Sequence, residues 1–254
     1  MLSSQWLANT RAVMDDIERT QGDNIRRAAE LMADSIAAGR WVHTFGCGHA
    51  TIPVEEMYPR IGGFVGFHPM VELPLTFFTH VTGEMGINQF LFLERAEGYG
   101  RAIMSAWDFD ARDTMWIFSH TGINNVNIDI ALRAKELGLK VIATGSAEQA
   151  QASTARHSSG KKLFDIADVV IDTRVPAGDS SVTLKHHRDN VGPVSTMGFI
   201  TVVWMTIVTV AELLEARGVR LFIHPSHNVP GDTTAHERLD EALREYRRRL
   251  VASG

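Results

Sequence analysis

The sequence predicts an α/β protein built around a parallel sheet. Three apolar runs rich in β-branched residues, TMWIFS (114–119), KVIATGS (140–146) and ADVVIDT (167–173), have the length and composition of buried strands. Between the first two, Val126 to Leu137 places apolar residues at helical spacing and stops at Gly138. Strands alternating with helices of that length are the signature of βαβ units, whose strands run parallel.

The remaining elements follow in chain order. Residues 1–40 read as helices: Ile17 precedes a break at Gly22, and Ile25, Ala28, Ala29, Leu31, Met32 and Ile36 then recur on one face up to Gly39. WVHTFGCG (41–48) reads as a strand running into a glycine turn. A helix through Ile52, Glu55, Glu56 and Met57 follows, with Pro53 tolerated in its first turn. Phe64 to Leu75 reads as a strand and loop, and Asn88 to Trp107 as one helix in spite of Gly98 and Gly100. Gly178 to Gly192 is polar and reads as a mobile flap.

Residues 190–211 carry no charge, which is long enough to span a membrane. Thr196, Thr201, Thr206 and Thr209 dilute the run, and the helical pattern continues through Glu212 to Glu215. A core helix, covered partly by a second subunit, accounts for it better than a membrane span.

Composition narrows the function classes. At 254 residues and 44% hydrophobic content, the chain has material for a sizeable core. Its net charge of −5, without a basic run, argues against a nucleic-acid partner. Cys47, the single cysteine, leaves no internal disulfide framework and suits a cytoplasmic location. Residues 1–20 include Arg11, Asp15, Asp16, Glu18 and Arg19 and so lack the apolar core of a signal peptide. No internal repeat or Pro/Ser-rich linker divides the chain, which reads as one domain.

Parallel sheets bind ligands beyond the carboxyl ends of their strands. Three such ends carry unusual residues here: Gly46-Cys47-Gly48-His49, Ser119-His120-Thr121-Gly122 and Thr144-Gly145-Ser146. Ser119, Thr121 and Asn124 bring side-chain donors to a helix start that already offers free amides and a positive dipole end. Such residues also cap helices, so one loop would carry little weight, whereas three in register suggest an anion site needing no lysine or arginine. The glycine spacing fits neither GxGxxG nor GxxxxGK[ST].

Several segments together resemble the sugar isomerase (SIS) family, and in particular stand-alone bacterial SIS proteins described as phosphoheptose-isomerase-like. They are DNIRRAAEL, HTFGCGH, SHTGIN, RHSSGKKLFDIADVVID, PAGD, VGPVSTMG and SHNVPGD with His236, and they extend over nearly the whole chain. The resemblance implies a three-layer, flavodoxin-like sandwich with a five-stranded parallel sheet. It implies a single SIS domain over 1–254, with N-terminal helices at 1–40, an α/β core at 41–220 and a C-terminal tail and helix at 221–254. It also implies a homodimer or homotetramer with shared sites for a phosphosugar. By position, Ser119, Thr121 and Asn124 match the loop that holds phosphate in similar proteins, and Thr144 and Ser146 the next hydroxyl-bearing strand end. With Gly48 and His120 they make the expected substrate-binding set. Two departures leave the anion open: the usual Ser-x-Ser-Gly is Ser119-His120-Thr121-Gly122, and the serine expected after Gly-x-Gly-His is Ala50, with Thr51 next to it. A sulfonated sugar, or an unphosphorylated one read by His120, fits as well.

Aldose–ketose isomerisation through a cis-enediol needs a base, and a carboxylate poised near neutral pH suits that role. Glu55 and Glu56 occupy the helix where similar isomerases keep theirs, and Glu56 is the expected base. Neighbouring helical residues point about 100° apart, so only one of the two can face a pocket. Ring opening suits a histidine. Of eleven, His236 matches the family's tail histidine and ranks first, followed by His49 and His187. His186-His187 and His224-x-x-His227 raise a zinc site, but no cysteine pair, HExxH or supporting carboxylate accompanies them. The expectation is therefore a metal-independent isomerase without a dissociable cofactor, acting on an anionic sugar. The alternatives are a sugar-phosphate sensor and a phospho-amino-sugar lyase or etherase.

Overall fold

The computed structural model describes residues 1–57, 59–77 and 86–251. Its centre is a sheet of five strands: β1 (Val42–Gly46), β2 (Phe67–Pro69), β3 (Thr114–Phe118), β4 (Lys140–Gly145) and β5 (Val169–Asp172). They lie in the order β2-β1-β3-β4-β5 and every adjacent pair is parallel. This is the flavodoxin-like order, in which the winding direction reverses between β1 and β3. A separate antiparallel pair, β6 (Ser180–Val182) and β7 (Val191–Pro193), stands outside the sheet.

Period-two alternation along the strands sorts their side chains into two cores. Val42, Trp116, Phe118, Ile142, Val169 and Ile171 join one cluster. Two helices, α1 (Leu2–Ala37) and α9 (Ser195–Ala216), run together over that face. Phe45, Met115, Ile117, Val141 and Ala143 join the other cluster. It is covered by α5 (Tyr99–Met104), α6 (Asn125–Glu136) and α8 (Leu163–Ile166). The sheet is thus buried on both sides, as the near-continuous apolar strands require.

Shorter helices complete the strand-end loops: a 3₁₀ turn (Gly48–Thr51), α2 (Ile52–Glu56), α3 (Leu73–Thr76), α4 (Gly86–Leu93) and α7 (Ala147–Ala152). The last helix, α10 (Ala235–Val251), docks at the opposite end of the strands. There Ala242 and Tyr246 meet Trp41, Val65 and Phe222. Arg249 of α10 donates to the carbonyls of Ile36 (3.3 Å) and Arg40 (3.0 Å), placing a cation where α1 ends. The last residues expected in this tail, 252–254, lie outside the described ones.

Three expectations change. Gly22 does not interrupt α1, because Val13, Ile17 and Gln21 before it and Ile25 after it are all buried on one continuous stripe. That burial outweighs the ~1 kcal/mol cost of a helical glycine. The expected helix over 88–107 is two helices, α4 and α5, parted at Gly98, whose φ of +92° is left-handed. The expected flap is a hairpin anchored to α1, where Trp6 Nε1 donates to Pro193 O (3.2 Å) and Asn9 Nδ2 to Ser181 O (2.8 Å).

Helix α9 is long and apolar enough to cross a membrane, with a mean hydropathy of 1.9. Its Gly198, Phe199, Val202, Val203, Ile207, Val210 and Leu214 are nonetheless buried against α1 and the sheet.

Polar groups are also buried at the amino ends of the strands. Arg40 and Asp113 form a bidentate pair at 3.0 Å through each nitrogen, and Asp113 lies 3.3 Å from His43 Nε2. His43 Nδ1 in turn meets His68 Nδ1 at 3.0 Å. Burial lowers the pKa of His68 to about 4, with His43 acting in the same sense and Asp113 against it. An unfolded histidine titrates near ~6.5, above the folded value. As pH falls from about 6.5 to about 4, the unfolded chain therefore takes up a proton that the folded one refuses, and stability drops by up to about 3 kcal/mol. Burial lowers His49, His120 and His224 as well, in the same direction. Urea melts at pH 7, 5.5 and 4 should show this decline, and His68→Asn should make it distinctly shallower. An unaltered slope in that variant would place the sensitivity elsewhere.

Candidate functional site

The loops that follow β1 and β3 separate where the strand order reverses, and between them opens a cleft of about 440 Å³. That volume falls within the range of small-molecule sites. Two glycines make the loop paths possible. A Cβ on Gly46 would sit 2.0 Å from Ala50 O, and one on Gly145 would sit 1.9 Å from Ser119 O. Only a residue without a side chain lets the β1 turn fold back over Gly46 and lets the end of β4 approach the β3 loop at Gly145.

One wall is the β1 turn, with Cys47, Gly48, His49 and Ala50. Cys47 Sγ donates to Asn127 Oδ1 (3.4 Å), and burial, reinforced by the charge of Glu94, keeps its pKa high, so it stands as a thiol. The facing wall is Ser119, His120, Thr121, Ile123 and Asn124 at the start of α6. Here Ser119 Oγ accepts from Gly122 N (3.1 Å) and Thr121 Oγ1 from Ile123 N (3.4 Å), which shapes the turn. His120 is 9% exposed, and neither of its ring nitrogens has a hydrogen-bond partner among the described residues. A buried imidazole without partners is costly, so its nitrogens are available to a ligand in the cleft.

The third wall is Ile87, Phe90, Glu94 and Arg95, together with Arg156 from the loop after α7. Glu94 is buried, and its Oε2 accepts from Asn124 Nδ2 at 2.7 Å. Asn124 thus donates its side-chain N–H to Glu94, and its side chain makes no cap bond to α6. Burial raises the pKa of Glu94, while Arg95 and Arg156 pull it back. A carboxylate raised in this way suits proton transfer near neutrality. Arg156 is exposed and makes no hydrogen bond or ion pair among the described residues. Two guanidiniums at the rim give the cleft the positive charge that the sequence reading did without.

Asp129 of α6, 2% exposed, holds these charges in place. It accepts from Gly98 N (2.6 Å) and Gly100 N (3.3 Å), and it meets His157 Nε2 at 3.2 Å. Asn125 Nδ2 donates to Arg95 O (2.8 Å), and Ser158 N to Glu97 Oε2 (3.0 Å). The segment bearing Glu94 and Arg95 and the loop bearing Arg156 are therefore tied to one helix and to each other.

The structure brings Gly48, His49, Ser119, His120, Thr121 and Asn124 of the expected set together in the cleft. It does not bring in the others. Thr144 Oγ1 accepts from Trp116 Nε1 (2.8 Å) within the core. Ser146 caps α7 by accepting from Gln149 N (3.0 Å) and donates to Val175 O (2.6 Å). Even-numbered side chains of β4 point to the α1/α9 side of the sheet, and the hydroxyl of Thr144 goes with them.

Glu56 accepts from Trp204 Nε1 (2.9 Å) and pairs with Arg60, while Glu55 faces solvent. The short helix α2 packs on α9, and neither of its carboxylates lines this chain's cleft. His187 is exposed in the β6–β7 loop, and His236 stacks on His227 with ring centroids 4.4 Å apart. His224 is buried. Among the described residues no three His, Cys, Asp or Glu side chains converge as a metal site. Sequence reasoning missed Glu94, Arg95, Arg156 and Asn127. Arg156 sat in a quoted motif, RHSSGKK, whereas Glu94 and Arg95 were hidden in a segment read as one helix.

Comparison with known proteins adds independent findings. A family model described as SIS domain matches residues 5–146. A UPF0309 protein of Oceanobacillus iheyensis is 32% identical over 232 residues, covering 91% of this chain and 92% of that protein. One from Streptomyces coelicolor is 29% identical and covers 98% of this chain and 96% of its own. Among solved structures, a phosphoheptose isomerase of Francisella tularensis superposes with a TM-score of 0.52 at 13% identity, over 82% of this chain and 96% of that one. The phosphoheptose isomerase of Neisseria gonorrhoeae gives 0.52 at 13%, over 81% and 95%. At that identity the likeness is one of fold.

Two outcomes follow from the geometry. Thr144→Val leaves the Trp116 indole N–H without its acceptor and should cost about 1–3 kcal/mol in urea denaturation, with the cleft intact. Asp129→Ala leaves two amides and an imidazole unpaired and should cost about 3 kcal/mol. In hydrogen exchange it should also deprotect residues 94–100 and 156–160 before the rest of the chain.

Proposed function

The chain belongs to the SIS-domain family, and from that premise we propose that its cleft binds an anionic sugar and interconverts its aldose and ketose forms. Arg95 and Arg156 hold the anionic group at the rim, with Ser119, Thr121 and the positive end of α6 beneath it. Gly48 lets the β1 turn approach the ligand, and His120 supplies ring nitrogens to a sugar hydroxyl. Phosphate suits this set well, and a sulfonate has the same charge sign and similar acceptors.

The base in this scheme is Glu94 and not Glu56. One observation carries the choice: Glu94 is the buried carboxylate in the cleft lining, beside two arginines and oriented by Asn124. The proton on the carbon next to the carbonyl passes to Glu94, leaving an enediolate. The proton of the hydroxyl on that carbon shifts to the former carbonyl oxygen, and Glu94 returns its proton to the former carbonyl carbon, so that the neighbouring carbon becomes the new carbonyl. His49 is the group for ring opening. His187 and His236 lie outside this chain's cleft and would have to act from a neighbouring copy.

A homodimer or homotetramer suits the outward side of α9, where Met197 and Val208 are exposed. The same scheme treats 1–254 as one SIS domain working in the cytoplasm, without nucleic acid or membrane as partner. It calls for no dissociable cofactor.

The test is a panel of sugar phosphates incubated with the protein in heavy water. Deuterium should enter at C1 or C2 without elimination. Glu94→Gln should lower turnover by about 10²–10⁴-fold while ligand binding persists. A ligand response that survives Glu94→Gln, with no exchange in the parent protein, would make it a sensor. Release of an acid or alcohol would make it a lyase, and loss of turnover in Glu56→Gln alone would return the base to Glu56.

A further inference from the structure

Asp179 of PAGD and Ser195 of VGPVSTMG take no part in the scheme above, yet their side chains meet at His49, which lines the cleft. Ser195 opens α9 and is fully buried. Its Oγ lies 2.6 Å from Asp179 Oδ2 and 3.2 Å from His49 Nε2. We infer that Asp179 is a positioning residue which, through Ser195, holds His49 in the tautomer protonated on Nε2 and leaves Nδ1 as an unprotonated acceptor facing the cleft. This rests on the reading that the cleft takes a cyclic sugar.

The tautomer follows from counting protons. A serine hydroxyl has one proton, and the Asp179 carboxylate can only accept it. The 2.6 Å separation commits that proton to Asp179, so Ser195 Oγ is the acceptor towards His49. Nε2 must then be the N–H of the neutral imidazole, and Nδ1 carries the lone pair. Nδ1 has no hydrogen-bond partner among the described residues. The ring is crowded enough for burial to lower its pKa, with Asp179 opposing, yet much of it stays open to the cleft. That openness is what lets it reach a ligand. The other groups facing it are Phe199, at a ring separation of 6.0 Å, and His120 and Glu94 across the cleft.

A simpler role for Asp179 is to cap α9, and Oδ1 does so by accepting from Val194 N (2.9 Å) and Ser195 N (2.8 Å). Capping does not require Oδ2, which goes to the Ser195 hydroxyl instead. Asp179 itself occupies the left-handed region at φ 62°. That conformation is disfavoured and persists where surrounding contacts impose it.

The arrangement suits ring opening. The anomeric O–H proton passes to His49 Nδ1, and the electron pair of that bond becomes the new carbonyl π bond. The bond from the anomeric carbon to the ring oxygen breaks, and the ring oxygen takes the proton back from Nδ1. The transient imidazolium is stabilised by Asp179 through Ser195.

The test is long-range ¹H–¹⁵N correlation on the full chain, labelled at histidine, at pH 8. The parent protein should show His49 as the Nε2–H tautomer. In Asp179→Asn, the new amide can donate to Ser195 Oγ, whose proton then turns to His49, so the signal should switch to Nδ1–H. In Ser195→Ala the two tautomers should coexist. With a cyclic sugar phosphate, Asp179→Asn should lower kcat by about 10²–10⁴-fold. A four-carbon aldose phosphate too short to close its ring should be turned over unchanged. Nδ1–H in the parent, or an unaltered tautomer in both variants, would overturn the inference. Because the tautomer is read without turnover, that failure is distinct from the absence of isomerase activity. Should Asp179→Asn fail to fold, Ser195→Ala decides the matter.

Discussion

A single buried carboxylate, Asp129, sets the geometry on which the cleft depends. It lies on α6, the helix that begins at the β3 loop, and it gathers amides from Gly98 and Gly100 and the imidazole of His157. Those partners come from two segments remote in sequence, and each segment carries charge into the cleft: Glu94 and Arg95 from one, Arg156 from the other. With its oxygens so committed, Asp129 cannot move without leaving several polar groups unpaired.

The two ends of the sheet use polar residues differently. At the amino ends, Arg40, Asp113, His43 and His68 are buried near the neighbouring aromatic rings and bond chiefly to one another. His43 Nε2 only approaches Asp113, at 3.3 Å, and a smaller cavity of about 160 Å³ lies beside the two histidines. At the carboxyl ends, His120 keeps both ring nitrogens unpaired and Arg156 keeps its guanidinium unpaired among the described residues. A network whose members pair mainly with one another adds rigidity, whereas a ring with both nitrogens unpaired beside the larger cleft is what a ligand can engage. The asymmetry agrees with ligand binding at the carboxyl ends, where the strand order reverses.

The strands were the most legible part of the sequence. TMWIFS, KVIATGS and ADVVIDT were found within a residue or two, because a sheet buried on both faces makes its strands almost wholly apolar. Gly22 misled since the cost of a helical glycine is small beside the burial of Ile17, Gln21 and Ile25 around it. Gly98 misled in the other direction, since its left-handed turn answers to Asp129, some thirty residues further on. Thr144 and Ser146 had the right chemistry for anion binding but face the core and a helix cap.

By itself, the chain's local pattern determined the parallel sheet, its helical layers and the loops after β1 and β3, because periodicity and glycine placement are short-range properties. Which carboxylate enters the cleft was decided only in three dimensions. Glu56 and Glu94 are equally plain glutamates in sequence; one accepts from Trp204 on α9 and the other from Asn124 at the head of α6. The tautomer of His49 belongs to the same class, since it is set by a serine and an aspartate more than a hundred residues away. Such assignments depend on which distant groups can share a proton, and no local pattern encodes that.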